Sequence, residues 1–357
     1  MDGHERRRRV DRRAIAVFTA QPAALTVLAG QPASFSAAAS SAQTPGYQWL
    51  KSGIPVPGAT QATLTFASAQ PADAATYACV VTNVAGRVIS APAVLTVLPS
   101  AWLANVSVRT ALAEAQSLIV GFTVEGGPKN VLVRAAGPAL LPFGVTTAML
   151  DPKIELYRDS AKIVENDNWS SGLAGTFSRL GAFPFPAGSR DAGLQQNVTG
   201  SHSAIASGSG PGVVLVELYD AGEPTAGRLI NLSARNRVGI GADLLIAGFH
   251  IAGTGPKRVL IRAVGPTLGG APFNLPGVLS DPKLELYDAA GAKVIENDNW
   301  DSSFAPTFAG VGAFPLPTGS KDAALVVTLN AGNSYSVWVQ GADGGTGEAL
   351  VEIYELP

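Results

Sequence analysis

The sequence predicts an all-β protein, and three observations lead to that class. The 357 residues include 40 glycines and 25 prolines, about 18 % of the chain where about 12 % is usual. Apolar runs are short and alternate with polar residues, as in half-buried strands, and no long segment has the 3.6-residue period of a helix. A long stretch also occurs twice, which predicts two copies of one domain.

The composition excludes several classes of function. Charged residues make up 15 % of the chain and the net charge is −2, so no overall field attracts nucleic acid or acidic lipid. No apolar run approaches the roughly 20 residues of a membrane-spanning helix. The one cysteine, Cys79, excludes an intrachain disulfide and a cysteine-based zinc site. We therefore expect no nucleic-acid partner and no membrane span.

The chain begins with a basic segment. Arginines occupy positions 6–9, 12 and 13, and the apolar stretch that follows, 14–18, is short for the core of a secretory signal. A nucleic-acid or membrane-binding arm is one interpretation. A solvated tail explains the charges better, and we predict a disordered basic tail over residues 1–20.

Residues 21–98 predict a first domain of short strands separated by turns. Strands are expected at 25–27, 33–37, 47–49, 62–66 and 94–98. The segment from Asp73 to Cys79, Asp-Ala-Ala-Thr-Tyr-Ala-Cys, resembles the most specific motif of immunoglobulin-like domains of the bacterial I-set kind. The resemblance implies that Tyr77 forms a tyrosine corner and that Cys79 is the second half of a core disulfide. Ala37 stands where the first cysteine belongs, so Cys79 is expected to be a small buried residue beside Trp49.

Two homologous units follow, at residues 101–226 and 227–357. Asp151–Tyr157 and Glu165–Trp169 recur as Asp281–Tyr287 and Glu296–Trp300. With seven or eight strands in each copy, the pattern predicts two antiparallel, jelly-roll-like β-sandwiches. The Ala-rich segment 109–118 resembles a helix by itself. Its counterpart, 235–245, contains two glycines, so both are predicted to be a strand followed by a turn.

The sequences of the two copies resemble a repeat found near the C-termini of exported proteins of environmental bacteria. Its motifs are Arg-Ala-x-Gly-Pro, Asp-Pro-x-x-Glu-Leu-Tyr, Asn-Asp-Asn-Trp and a final Leu-Val-Glu-x-Tyr. Part of this pattern is also similar to bacterial pre-peptidase C-terminal domains. The resemblance implies an extracellular or cell-surface protein, although the chain has no clear signal peptide, and neither family pattern carries a catalytic residue.

No catalytic constellation is evident, and we expect no enzyme. Ser201 and His202 lack the context of a nucleophile elbow, and His202 aligns with Tyr335 as a strand position. The carboxylate pairs Glu155/Glu165 and Glu285/Glu296 lie on predicted strands, where solvated faces explain them better than glycosidase acid–base pairs. Arg134 and Arg262 each end an apolar run, which favours an internal clamp over ligand recognition.

The Asn-Asp-Asn loops leave two interpretations open. Hard oxygen ligands at close spacing suit calcium, and no other cofactor is expected. The alternative is a turn in which these side chains bond to their own backbone. The candidate metal ligands are Asn166, Asp167, Asn168, Asn297, Asp298, Asn299 and Asp301.

The sequence therefore predicts a non-catalytic extracellular or cell-surface protein used for adhesion, as a spacer or for ligand binding, with an unknown protein or glycan partner. The alternative is an accessory carbohydrate-binding region of a secreted hydrolase whose catalytic domain is absent from this chain. An aromatic platform on one sandwich face would favour the alternative. Trp102, Trp169, Trp300 and Trp338 are the tryptophans available for it after the first domain.

Overall fold

The computed structural model describes residues 14–98, 100–222, 227–241 and 243–356. The arginines of the predicted basic tail lie outside these residues. Val17–Ala20 forms a strand, so regular structure begins before the predicted boundary at residue 21. The chain divides after Ser100 into two compact units.

The first unit is a two-layer antiparallel sandwich closed by one parallel strand pair. Its strands are β1 (Val17–Ala20), β2 (Leu25–Leu28), β3 (Ala33–Ser36), β4 (Ala38–Ser40), β5 (Gly46–Lys51), β6 (Ile54–Pro55), β7 (Thr63–Phe66), β8 (Ala75–Asn83), β9 (Gly86–Ile89) and β10 (Ala93–Leu98). One sheet runs β2-β10-β8-β5-β6, with β9 beside β8. β1 pairs with β4 and β3 pairs with β7. Each strand predicted for residues 21–98 is present.

Aromatic packing forms the core of this unit. Trp49 and Cys79 lie opposite each other on β5 and β8, and both are fully buried in one cluster with Ala37. The ring of Phe35 lies 6.0 Å from that of Trp49 and 5.2 Å from that of Tyr77. The Tyr77 hydroxyl donates to the carbonyl of Asp73 at 2.8 Å, which confirms the predicted tyrosine corner. The burial of Cys79 confirms that its thiol lies in the core.

The second unit contains fourteen strands within its described residues. The first copy supplies β11 (Ala101–Leu112), β12 (Leu118–Ala136), β13 (Pro152–Arg158), β14 (Ala161–Asn166), β15 (Ala192–Gly208) and β16 (Gly212–Asp220). The second supplies β17 (Arg228–Val238), β18 (Leu245–Gly253), β19 (Pro256–Val264), β20 (Pro282–Asp288), β21 (Lys293–Asn297), β22 (Ala323–Asn330), β23 (Asn333–Gly341) and β24 (Gly347–Glu355). Segments 109–118 and 235–245 are strand followed by turn, as predicted.

The two longest strands of the first copy each correspond to two strands of the second. β12 and β15 correspond to β18–β19 and β22–β23, respectively. The register of β12 against β15 shifts between Val124 and Lys129. Gly126 and Gly127 have positive φ there, a conformation in which glycine meets no side-chain penalty. The strand can therefore turn from one layer into the other at this point.

The antiparallel pairings build two layers, and each layer takes strands from both copies. Layer 1 runs β14, β13, the second half of β15, the first half of β12, β17, β24, β19 and β22. Layer 2 runs β21, β20, β23, β18, β11, β16, the second half of β12 and the first half of β15. The first strand of each copy, β11 or β17, thus pairs with the second strand of the other copy.

One core fills the space between the layers. Alternate residues point inward, so Val106 and Val108 of the first copy share a buried cluster with Phe249 and Val337 of the second. Strands of both copies therefore enclose one common interior within residues 101–356.

A cap covers half of the outer face of each layer. In the first copy it contains α1 (Ala174–Arg179) and 3₁₀ turns at Pro138–Phe143 and Ser171–Leu173. In the second it contains α2 (Pro266–Gly269), α3 (Ala305–Gly310) and a 3₁₀ turn at Ser302–Phe304. The caps bury Phe177 and Phe308 against the strands below. These helices are not predicted from the sequence, because six residues or fewer are too short to show a helical period.

Candidate ligand-binding face

The Asn-Asp-Asn loops lie at the ends of β14 and β21 and are held by their first asparagine. The Asn166 side chain accepts from the Gly193 amide at 2.8 Å and donates to the Asn168 carbonyl at 2.9 Å. Asn297 makes the equivalent bonds with Ala324 and Asn299 at 3.0 and 2.9 Å. The side-chain oxygen and nitrogen of each asparagine therefore both hold the loop. The bond to the carbonyl two residues further on is of the kind that the turn interpretation predicts.

The remaining candidate metal ligands are exposed. Asn168, Asp167, Asp298 and Asn299 point outward, as does Asp301. Asp301 accepts from the Ser303 amide at 2.8 Å, and that bond lowers the pKa of its carboxyl. Within the described part of the chain, no group of three or more His, Cys, Asp or Glu side chains is placed to hold a metal ion. Calcium binding by these loops stays a prediction.

A hydrogen-bonded Trp-Ser-Asp chain, which ends on a buried aspartate, connects each loop to the cap. Trp169 Nε1 donates to Ser189 Oγ at 3.2 Å, and Ser189 Oγ donates to Asp191 at 2.6 Å. The other Asp191 oxygen accepts from the amides of Gly137 and Ala139 at 2.7 and 3.1 Å. This carboxylate is not among the predicted site residues, although the repeated Gly-Ser-Arg-Asp and Gly-Ser-Lys-Asp at 188–191 and 319–322 mark it.

The second copy repeats this chain. Trp300 Nε1 donates to Ser320 at 3.0 Å, and Ser320 donates to Asp322 at 2.7 Å. Asp322 is fully buried and accepts from the Gly265 amide at 2.9 Å. The turn after Arg262 is therefore fixed in the same way as the turn after Arg134.

Arg134 forms the internal clamp that the sequence predicts. Its side chain is fully buried and donates from two nitrogens to one oxygen of Glu217. A third nitrogen donates to the Phe183 carbonyl at 2.7 Å, and the rings of Phe177, Phe183 and Phe185 lie 4.4–4.6 Å from the guanidinium carbon. The guanidinium is therefore fully occupied by the protein's own groups.

Arg262 is held equivalently in the second copy. It is fully buried and donates to Glu352 and to the Phe314 carbonyl, the latter at 2.6 Å. Tyr354 donates to the other Glu352 oxygen at 2.7 Å. Burial, followed by the neighbouring Glu352 charge, raises the pKa of Tyr354, so its hydroxyl stays protonated. Both arginines thus connect strands to their caps.

His202 is a core residue of β15. It is 6 % exposed, and its ring stacks on Phe122 at 5.5 Å. Tyr335 stacks on Phe249 at 5.7 Å in the second copy, which confirms the predicted equivalence of the two positions.

The carboxylate pairs are joined to lysines. Lys162 lies 3.1 Å from Glu155 and 2.5 Å from Glu165, and Lys153 lies 3.1 and 3.0 Å from the same two carboxylates. Hydrogen bonds from Lys162 and then Lys153 lower the pKa of Glu165 to about 2. These carboxylates are therefore ionised, bonded groups on the outer face of β13 and β14.

The second copy departs from the solvated face predicted for its pair, because Glu285 is only 7 % exposed. Lys283 and Lys293 lie 3.0 and 3.2 Å from it, and the Tyr287 hydroxyl donates to it at 2.6 Å. Burial by itself would raise the pKa of Glu285. The bonds from Tyr287 and the two lysines outweigh that effect and lower the pKa to about 2.

Beside this ion network lies an aromatic pair on the uncapped half of layer 2. The rings of Tyr287 and Trp338 are 4.8 Å apart and inclined by 41°, and both side chains are half-buried. The neighbours of Trp338 on its strand, Val337 and Val339, point into the core. Trp338 therefore points outward, onto what we call the open face, formed by the outward side chains of β20, β23, β18 and β11.

A cleft of about 270 Å³ lies at the other end of the open face, against the cap of the first copy. Its lining includes Asn105, Leu180, Tyr219, Asp220, His250 and Ser334. His250 Nδ1 lies 3.1 Å from Ser334 Oγ, and burial lowers the pKa of the imidazole, so it is neutral at pH 7. The cleft thus offers hydrogen-bonding groups from both copies: the imidazole of His250 and the hydroxyl of Ser334 from the second, and Asn105 and the Asp220 carboxylate from the first.

The first copy has a different surface at the equivalent positions. Ile205 corresponds to Trp338, because each lies opposite the glutamate of the Asp-Pro-x-x-Glu strand. Thr123, bonded to Ser201 at 3.0 Å, stands where the second copy has His250 bonded to Ser334. The aromatic pair and the histidine therefore distinguish the open face of the second copy.

Comparison with known families finds a match within the first unit. Residues 17–83 match the model of the immunoglobulin domain. No curated protein matches the chain. The match thus spans strands β1 to β8, including the tyrosine corner and Cys79. The described residues contain no helix long and apolar enough to cross a membrane.

Solved structures similar to the chain are also immunoglobulin domains. The tandem immunoglobulin repeats of Dlar are 22 % identical over 24 % of this chain, with a TM-score of 0.23. This chain covers 48 % of that structure. The titin M10–obscurin-like 1 immunoglobulin complex is 26 % identical over 24 % of this chain and 95 % of its own, with a TM-score of 0.22. A chimeric titin Z1Z2 is 27 % identical over 24 % of this chain and 96 % of its own, with a TM-score of 0.22.

Proposed function

We propose that this chain is a non-catalytic, extracellular adhesion or spacer protein whose second unit binds a ligand on the open face. The immunoglobulin-like domain and the β-sandwich copies support a non-catalytic role. The most deeply buried charged groups are used for structure: Arg134, Arg262, Asp191 and Asp322 bind protein groups in the same way in both copies.

The observation that carries the ligand-binding proposal is the difference between the copies. Their caps, clamps and ion networks repeat, whereas the open face of the second copy gains Trp338 and His250 at positions held by Ile205 and Thr123. A large aromatic side chain that remains partly exposed provides contact area at a low entropic cost. Polar groups around it fix the orientation of a ligand.

The Tyr287–Trp338 pair favours a carbohydrate ligand as the second candidate function. In that case the chain is an accessory carbohydrate-binding region of a secreted hydrolase. The apolar face of a sugar ring packs on such a pair, while hydroxyl groups bond to neighbouring amide, serine and charged side chains. Gln340 and Ser336 lie on the same strand as Trp338 and point to the same side.

A glycan array tests this proposal with the intact chain and two matched variants. Trp338→Ala removes the aromatic platform, and Ile205→Ala removes the equivalent side chain of the first copy. We expect glycan binding that falls at least tenfold in Trp338→Ala and is unchanged in Ile205→Ala. Equal binding by both variants would place the ligand elsewhere.

If no glycan binds, the carbohydrate candidate is rejected and the adhesion proposal is tested on cells. Protease treatment of intact producing cells should then remove the immunoglobulin-like domain, which an antibody against residues 17–83 would detect. Protection of that domain until the cells are lysed would contradict the extracellular assignment.

A further inference from the structure

The contact between the two copies has the geometry of a symmetric dimer interface. Leu103 and Leu229 occupy the same position in the two copies and pair directly with each other. Thr110 and Asn236 are also equivalent, and the Asn236 amide donates to the Thr110 hydroxyl. Equivalent residues meet where the rotation axis that relates the two copies passes, so this axis lies between β11 and β17. The rotation is two-fold when the contacts on either side of the axis are reciprocal.

The strand pairs on either side of this axis repeat each other in detail. Ser107 of β11 lies opposite Gly248 of β18, and Ser233 of β17 lies opposite Gly121 of β12. A Cβ atom built on Gly248 or Gly121 would lie 2.6 or 2.5 Å from the facing serine Oγ. The glycines therefore allow the copies to approach closely, and the same pair of residue types does so twice.

Each copy is incomplete without the other. β18 bonds to β11 over the registers from Ala101↔Gly253 to Arg109↔Ile246, and β17 bonds to the first half of β12 in the same way. Removing one copy would expose these backbone groups along two long apolar strands, which is an aggregation hazard for a separate domain. It would also open the shared core that contains Val106, Phe122, Leu232 and Phe249.

We infer that each repeat carries a self-complementary docking surface whose partner is a second copy of the same repeat, in this chain or in another. The surface consists of β11 with the first half of β12 in the first copy, and of β17 with β18 in the second. Because the interface is the same on both sides, pairing needs no covalent connection between the copies.

The test uses the full chain with a protease recognition sequence in place of residues 223–226. After cleavage, the two pieces should remain together as one particle with the mass of the uncut chain in native mass spectrometry. Folded, separate pieces would overturn the inference.

Pairing between chains is tested with the same cut protein in light and isotopically heavy forms. The two forms are mixed, unfolded in urea and refolded. Particles that combine light and heavy pieces should form, including pairs of the first copy with itself. Complexes that contain only the original pairs of pieces, or monomeric folded pieces, would overturn pairing in trans.

Variants locate the surface. Gly248→Val in the cut protein should weaken association of the pieces at least tenfold, and adding Ser107→Gly should restore part of it. Thr328→Val, on the exposed side of β22 away from the axis, serves as the control and should have no effect. Unchanged association in Gly248→Val would show that this strand pair is not the interface.

Discussion

At the scale of single residues, the second unit depends on buried charges that are fully paired. Arg134 and Glu217 are 0 % and 5 % exposed, so neither can exchange its partner for water. Breaking such a pair leaves one charge buried without compensation, at a cost of about 3–5 kcal/mol. Replacing both members with uncharged groups of similar volume costs much less.

We expect Arg134→Met to lower the free energy of unfolding by about 3–5 kcal/mol, because Glu217 stays buried without its partner. The double variant Arg134→Met/Glu217→Gln should recover most of that loss. Urea denaturation followed by circular dichroism measures both. A double variant less stable than the single one would contradict this account of the clamp.

Cys79 offers a second prediction, because it is buried in one cluster with Ala37, where the fold family places the other half of a disulfide. Burial raises the pKa of its thiol, so a thiol reagent should label native Cys79 slowly and the urea-unfolded protein rapidly.

Ala37→Cys should form a bridge to Cys79 and increase stability by about 2–4 kcal/mol. Calorimetry with and without reductant gives the difference, and Ala37→Ser serves as the control that cannot form the bridge. An oxidised variant that keeps two free thiols would show that these positions do not meet.

Residue patterns predict the structural roles of some buried charged residues but not of others. The arginine clamps could be anticipated because each guanidinium ends an apolar strand and needs partners. The repeated Gly-Ser-x-Asp motif marks Asp191 and Asp322, but their partners could not be anticipated, since these are backbone amides more than fifty positions away. The local sequence contains no information about a contact of that kind.

At the scale of elements, the Lys–Glu networks of β13–β14 and β20–β21 link stability to acid. The folded pKa values of Glu165 and Glu285 are lowered to about 2, below the ordinary value of about 4.3 for glutamate. A carboxylate whose pKa is lower in the folded than in the unfolded state stabilises the fold at pH values above its unfolded pKa. That contribution is lost as the pH falls from about 4.3 to 2.

The melting temperature of the chain should therefore fall as the pH decreases through this window. Glu285→Gln should make that dependence shallower, whereas Glu114→Gln, at an exposed loop position, should leave it unchanged. Calorimetry in a series of buffers measures the slope. The same slope in Glu285→Gln and in the parent protein would contradict the assignment.

The Asn-Asp-Asn loops provide the test of the calcium prediction. If calcium binds there, excess calcium should raise the melting temperature and chelator should lower it, since a ligand that binds only the folded state stabilises it. The second loop should bind more tightly, because Asp301 adds a charge where the first copy has Ser170. Melting curves that coincide under both conditions would reject calcium binding and leave only the turn role for these loops.

The element boundaries show where sequence reasoning works. Alternation predicted β13 correctly, because Ile154 and Leu156 are buried while Lys153 and Tyr157 are not. β20 departs from strict alternation, since Glu285 is buried along with Leu284 and Leu286. The short helices of the caps were missed, since α1 and α3 gain their order from packing Phe177 and Phe308 against strands rather than from local periodicity.

At the scale of the whole molecule, the sequence predicts the duplication but not how the copies combine. β11 and β17 have the alternation of half-buried strands whichever neighbour they take. Pairing within a copy and pairing across copies bury the same inward residues, so periodicity cannot separate them. The glycines opposite Ser107 and Ser233 are a local mark of the close approach.

The most direct measurement of the central claim, that the two copies form one structural unit, is hydrogen exchange on the Arg134→Met variant. This substitution lies wholly in the first copy. We expect the amides of β19, β22 and β24, in the second copy, to lose protection by the same free energy as those of β12 and β16, because one core unfolds as a unit. Second-copy strands that keep the parent protein's protection while the first copy opens would contradict the account.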